Sequence, residues 1–194
     1  TRRFRKLALI TTLGSFLGDI REHLTKQYEV REFQGGSRDE LYKLLDWCEV
    51  AWFEWCDELL VEATRFPKMC KIICRLHRYE AFTEIPRQVE WSRVDHLIFV
   101  NETVRTIAKR TFGISCPTSV IHNGVNFDRY IFPVKKRYGK KVAWAGYIRD
   151  VKGPMLMLQC FHAIHNYDSS YTFHIAGEHQ DPVYKLYMKD MQEQ

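Results

Sequence analysis

Short apolar runs alternate with amphipathic stretches along most of the chain. KLALITT at 6–12, YEVREF at 28–33, EVAWFEW at 49–55, KMCKIICRL at 68–76, DHLIFV at 95–100 and TSVI at 118–121 have the length and residue types of strands. Between them, 17–27 sets Leu17, Ile20 and Leu24 on one helical face. Ser37, with Glu40 three residues on, starts a helix over 39–47. Asp57 caps another running to Thr64 ahead of Pro67, and the stretch 102–111 is closed by Gly113. A shorter helix is predicted over 88–93. Alternation of this kind predicts βαβ units and an α/β fold with a parallel, doubly wound, Rossmann-like sheet. Ligands of such sheets bind beyond the C-terminal strand ends, where the sequence places Gly14, Glu54, His77 and Asn101.

The alternation pauses and then restarts. Residues 127–141 hold Pro133 and the charge run KKRYGKK, the composition of a connection between domains. From Val142 the order is strand, Gly146, a polar turn with Arg149 and Lys152, Gly153-Pro154, an apolar helix over 155–166, a strand over 171–176, then Gly177-Glu178. The predicted division is an N-terminal Rossmann-like domain over 1–128, a linker over 129–141 and a second Rossmann-like domain from 142. Two strands fall short of the usual sheet of about 4–6. The second domain is therefore expected to be incomplete at Gln194, and this stretch alone inactive.

Composition narrows the classes. Of the 194 residues, 45% are hydrophobic and 14% aromatic, which excludes disorder. No apolar run approaches the roughly 20 residues of a membrane span. The basic-then-apolar start lacks a small-residue cleavage site, and so predicts a first core strand rather than a signal peptide; it also begins without Met. The cysteines at 48, 56, 70, 74, 116 and 160 follow no ligand spacing. Cys70 and Cys74 share one side of a predicted strand, but no second pair accompanies them, so buried reduced thiols of a cytosolic protein are expected and no metal is. His162 and His165 lie near each other on a predicted helix without a third ligand. Trp47, Trp52, Phe53 and Trp55 read as core. A net charge of +5 favours anionic partners, yet no basic–aromatic pattern points to nucleic acid. Arg2, Arg3, Arg5 and Lys6 suit either a solvated tail or anionic lipid headgroups.

The richest stretch is VAWAGYIRDVKG at 142–153. Glycine at a strand end admits a ligand close to the backbone, and a helix N-terminus supplies N–H groups and partial positive charge. With Arg149 and Lys152 in the turn, this predicts an anion site suited to a diphosphate; a solvated loop with two surface cations has the same composition. Asn123-Gly124 predicts a tight turn with or without a ligand near it. His77 fits a functional strand-end group or a satisfied loop histidine. Glu54 and Asp57 fit an acid/base pair, or, for Asp57, a helix cap. Glu178 fits a cleft position or a solvated loop.

Several segments, in order, resemble glycosyltransferase family 4, retaining sugar-nucleotide enzymes of GT-B fold. They are His77 after the fourth strand, DHLIFVNETVRTIAK at 95–109, VIHNGVN at 120–126 followed by Phe127 and Asp128, VAWAGYIRDVKG, and YTFHIAG at 171–177. The resemblance implies an acceptor-side first domain with His77 as its catalytic candidate. Gly146, Arg149, Lys152 and Gly153 would bind the donor diphosphate, and Gly14, Asn123, Gly124 and Glu178 would be further cleft positions. It implies a nucleotide-sugar donor as substrate, a glycan or lipid-linked acceptor, and neither metal nor other cofactor. Its setting would be cell-surface polysaccharide biosynthesis in the cytoplasm, with peripheral contact at an anionic membrane face. Three departures stand out: Tyr147 where the family has arginine after the glycine, Ser15 where it has a second glycine, and no glutamate pair before Gln194. The alternatives are a GT-B sugar-nucleotide epimerase and a non-catalytic anion- or membrane-binding module.

Overall fold

Strands β1 (Lys6–Ile10), β2 (Glu29–Phe33), β3 (Val50–Phe53), β4 (Lys71–Leu76), β5 (His96–Phe99) and β6 (Thr118–Val120) form one six-stranded sheet. Its order is β2-β1-β3-β4-β5-β6, and every neighbouring pair is parallel. The computed structural model from which this is read describes residues 5–12, 14, 17–130 and 139–178. Arg2, Arg3, Ser15 and Pro133, singled out in the sequence, lie outside the described residues. The chain divides into two units, Thr1–Tyr130 and Ile131–Gln194, and the sheet belongs to the first.

Parallel neighbours need crossovers, which α1 (Gly18–Thr25), α2 (Arg38–Trp47), α3 (Glu58–Arg65) and α4 (Glu102–Phe112) supply. Local chemistry sets their ends. Ser37 and Glu40 form a reciprocal capping box, Asp57 accepts from the Leu59 amide, and Asn101 accepts from Val104. Between β4 and β5 the single short helix expected over 88–93 is replaced by three 3-10 turns at Glu80–Phe82, Ile85–Gln88 and Trp91–Arg93. Pro86 removes one amide, and extended backbone at Thr83 and Val89 separates the turns.

The pleat sorts the strands into two faces. Ala8, Ile10, Ala51, Phe53, Ile72, Cys74, Leu76, Leu97 and Phe99 pack under Leu41 and Leu45 of α2, Leu60 of α3 and Val104 and Ala108 of α4. On the other face Leu7 and Leu9 meet Leu17 and Leu24, with Trp52 packed alongside. Five cysteines are buried, but Cys160 is exposed, against the expectation for it. Cys70 precedes β4 and so does not share a strand face with Cys74; the free thiols of Cys48 and Cys70 neighbour each other, as do those of Cys56 and Cys74.

In the second unit, β7 (Lys141–Ala145) and β8 (Thr172–Ala176) pair in parallel and are joined through α5 (Pro154–Tyr167). Phe161 of α5 stacks on Phe173 of β8, with ring centroids 4.6 Å apart. Among the described residues, no helix is long and apolar enough to cross a membrane.

Candidate functional site

The strand order reverses between β1 and β3, since β2 lies outside β1 while β4 to β6 continue on the far side of β3. Ligands of open parallel sheets bind beside that reversal, at the C-terminal strand ends. Here β3 is followed directly by Glu54, whose amide donates to the Ile10 carbonyl of β1 (2.9 Å). By the two-residue alternation, Glu54 follows Trp52 on the face opposite α2, and Arg75 follows Ile73 on the same face of β4. Charged residues at such positions are buried only when paired.

They are paired. The Glu54 side chain is wholly buried and Arg75 nearly so. Arg75 Nη1 donates to Glu54 Oε1 (3.2 Å), Trp52 Nε1 donates to Oε2 (3.0 Å), and His77 Nε2 lies 3.0 Å from Oε1. With a guanidinium and an indole both donating to it, Glu54 acts as an acceptor, so Nε2 of His77 carries the proton and donates. In the neutral ring this fixes the lone pair on Nδ1. Trp55 stacks on the imidazole, centroids 4.2 Å apart and planes 29° from parallel. Arg75 Nη2 donates to Asn123 Oδ1 at 2.5 Å. The segment after β6 thus crosses the end of β5, where the Ile121 amide donates to the Phe99 carbonyl, and reaches β4.

A second buried carboxyl flanks His77. Glu80, in the first 3-10 turn after β4, accepts from the Cys56 amide through Oε1 (3.2 Å). Burial raises its carboxyl above the ordinary range, against the opposing pull of backbone amides and of nearby His77. Among the described residues, Glu80 Oε2 and Arg75 Nε have no hydrogen-bond partner although both are buried. A carboxylate-oriented imidazole can take a proton from a hydroxyl, and the guanidinium supplies fixed positive charge close by.

Several sequence expectations are revised here. Glu54 bonds to Trp52, Arg75 and His77, and of the two readings of Asp57 the helix cap is the one observed. Asp57 caps α3 and accepts from Thr12 Oγ1 (3.1 Å), with burial raising its carboxyl. Asn123-Gly124 forms no tight turn: residues 121–126 run without one and Gly124 lacks a positive φ, because the Asn123 side chain is held by Arg75 rather than by its own backbone. Trp52 and Trp55 are half-buried members of the site, whereas Phe53 is core. Gly14 sits against Thr11 and Arg21, where an added Cβ would lie 3.2 Å from the Thr11 methyl. Arg75, Trp55 and Glu80 were missed in the sequence. For Arg75 the available signal was a charge in the interior of the otherwise apolar run IICRL.

In the second unit Gly146, Arg149, Lys152 and Gly153 occupy one loop at the end of β7. Arg149 is extended, Asp150–Lys152 makes a 3-10 turn, and Gly153 takes φ 61° ahead of Pro154 at the first turn of α5. No side chain caps α5. The loop is anchored by buried Ile148, whose amide donates to the Glu178 carbonyl (2.8 Å), so Glu178 lies beside it. Gly177 is required by contact: a Cβ there would lie 1.8 Å from the Gly146 carbonyl oxygen. His162 and His165 are exposed, and His165 Nδ1 lies 3.1 Å from the Tyr171 carbonyl. Among the described residues no group of His, Cys, Asp and Glu could hold a metal ion.

A cavity of about 470 Å³ opens on the sheet face beside α1, lined by Leu7, Leu24, Trp52 and Ile73 with Asp95 and His96. It lies toward the N-terminal strand ends and shares Trp52 with the polar cluster. Compared with protein-family models and with curated protein sequences, the chain matches none.

Proposed function

We propose that the protein is a retaining, sugar-nucleotide-dependent glycosyltransferase of GT-B type, with its acceptor bound at the Glu54–His77 edge and its donor diphosphate at the loop 146–153. The observation that carries this reading is the network in which Trp52 and Asn123 hold the buried Glu54–Arg75 pair, which orients His77 beside the strand-order reversal. An acceptor hydroxyl at His77 would meet an imidazole of fixed tautomer. Breaking the sugar–phosphate bond places charge on the departing diphosphate, and Arg149, Lys152 and the first-turn amides of α5 are the groups suited to stabilise it. No protein nucleophile and no metal enter this scheme. The glycan assembled would be a polysaccharide of the cell surface.

Calorimetric titration with a nucleoside diphosphate tests the donor side. Lys152→Ala is expected to weaken binding by at least ~1.5 kcal/mol, the scale of a charge-assisted hydrogen bond, while a nucleoside lacking phosphates responds little. Diphosphate affinity unaltered in both Lys152→Ala and Arg149→Ala would refute the assignment. On the acceptor side, His77→Ala should depress turnover and leave nucleotide binding intact.

A further inference from the structure

The cavity on the α1 face of the first sheet has a floor set by strand register. Leu7, Val50 and Lys71 stand in one row across β1, β3 and β4, and Trp52, Ile73 and His96 in the next row across β3, β4 and β5. Leu24 and Tyr28 pack against Leu7 and line the cavity beside β1, while Asp95 lines it beside β5. Helices α2, α3 and α4 pack on the opposite face, and Trp52 and Ile73 remain half-buried. The lining therefore changes character across the strands. It is apolar at β1 and β3, with its charged and polar groups on β4 and at the start of β5.

The polar end carries more positive charge than negative. Lys71 Nζ donates to Asp95 Oδ1 (2.9 Å) and Lys68 bonds the same carboxylate, so two ammonium groups share one acid. Asp95 also accepts from the Ile72 amide (2.8 Å), which leaves it little capacity for a further donor. An incoming cation would meet an acid already satisfied. An anion would meet the surplus charge at Lys71, whose ammonium has donors for a second acceptor. Three rings, those of Tyr28, Trp52 and His96, line a volume of about 470 Å³, which is in the range of small-molecule sites. Two strand spacings, about 10 Å, separate the apolar end at β1 from the charged end at β4. We infer that this cavity binds a small aromatic acid, its flat ring system over Val50, Trp52 and Ile73 and its anionic group at Lys71. Ligands of parallel sheets bind at the opposite, C-terminal strand ends, so this site is additional to the one proposed for transfer. The two meet at Trp52, whose ring lines the cavity and whose indole N–H donates to Glu54.

Fluorescence titration of the chain with anilinonaphthalene sulfonate tests it, with phenylnaphthylamine, the same skeleton without the anionic group, run alongside. Both dyes are expected to bind saturably, a single dye to each chain. Lys71→Gln should weaken the sulfonate by about fivefold or more, through loss of a charge-assisted contact, and leave the neutral dye unchanged. Ile73→Trp should deny the cavity to both dyes by filling its floor. Lys71 is exposed and Ile73 half-buried, so circular dichroism should be unaltered in each variant. Lys109→Gln, at an exposed position on α4, should bind both dyes as the unaltered chain does. The inference is overturned by no saturable binding of the sulfonate, or by a Lys71→Gln effect no larger on the sulfonate than on the neutral dye. An equal loss with Lys109→Gln, or binding that survives Ile73→Trp, overturns it as well. The first of these outcomes would assign the cavity to a macromolecular cover instead of a small ligand. The titration needs neither turnover nor nucleotide, so it fails or succeeds separately from the diphosphate test of Lys152.

Discussion

Glu54 has no solvent to fall back on, and its partners have few alternatives to it. Removing one member of a buried charge pair leaves the other uncompensated, which costs about 3–5 kcal/mol. Glu54→Ala is accordingly expected to lower the unfolding free energy by that amount in urea titration, because Arg75 would keep only Asn123. A fall below about 1 kcal/mol, the usual scale of an exposed ion pair, would show that water reaches the guanidinium. Asp95 makes a useful contrast. It accepts from Lys71 Nζ (2.9 Å) and the Ile72 amide (2.8 Å) and also meets Lys68, and these partners hold its carboxyl below the ordinary range although burial pushes the other way. Its stabilisation is therefore present above the ordinary carboxylate range and is lost as pH falls through the lowered value. Glu80 and Asp57 have the opposite sign, favouring the fold when protonated.

Among the elements, the strands of the first sheet and helices α1 to α4 were legible because their apolar spacing differs by element type, and for α2, α3 and α4 also because a capping residue or closing glycine is spelled out in sequence, as with Ser37 and Glu40. The crossover between β4 and β5 was not. Three 3-10 turns carry no period long enough to distinguish them from one short helix. The site was half legible. Glu54, His77 and Asn123 could be placed at strand ends, but Arg75 and the contacts that join these residues emerge only once the strand order brings β3, β4 and the segment after β6 together. Asn123 was misjudged because a turn dipeptide describes local preference, and a bond across 48 positions overrode it. At the end of β7 the element argument is sharper. Gly177→Ala should cost about 1–3 kcal/mol from backbone conformation alone, at φ 156°, besides the clash with the Gly146 carbonyl. The Ile148 amide, bonded to Glu178, should then lose protection from hydrogen exchange. Gly139→Ala, which opens onto empty space, should leave it protected.

At the scale of the molecule the two units are unequally built. The first buries helices against both faces of its sheet, whereas in α5 only Pro154 is buried and β7 and β8 each alternate half-buried with exposed positions. Local stability follows buried apolar contact. Amides of β7 and β8 are therefore expected to exchange faster than those of β3 and β4, by native-state hydrogen exchange; equal protection would mean that the second unit draws support from elsewhere. The link between Arg75 and Asn123 has a consequence for how the protein is made. A chain growing from its N-terminus contains Glu54, Arg75 and His77 before β5, α4 and β6 have emerged from the ribosome. The guanidinium must wait for its second partner until the last strand of the sheet has been synthesised and laid in place. A nascent chain arrested before residue 123 would carry the dyad but not the clasp over it, so the site is finished last although its central residues are among the first to appear.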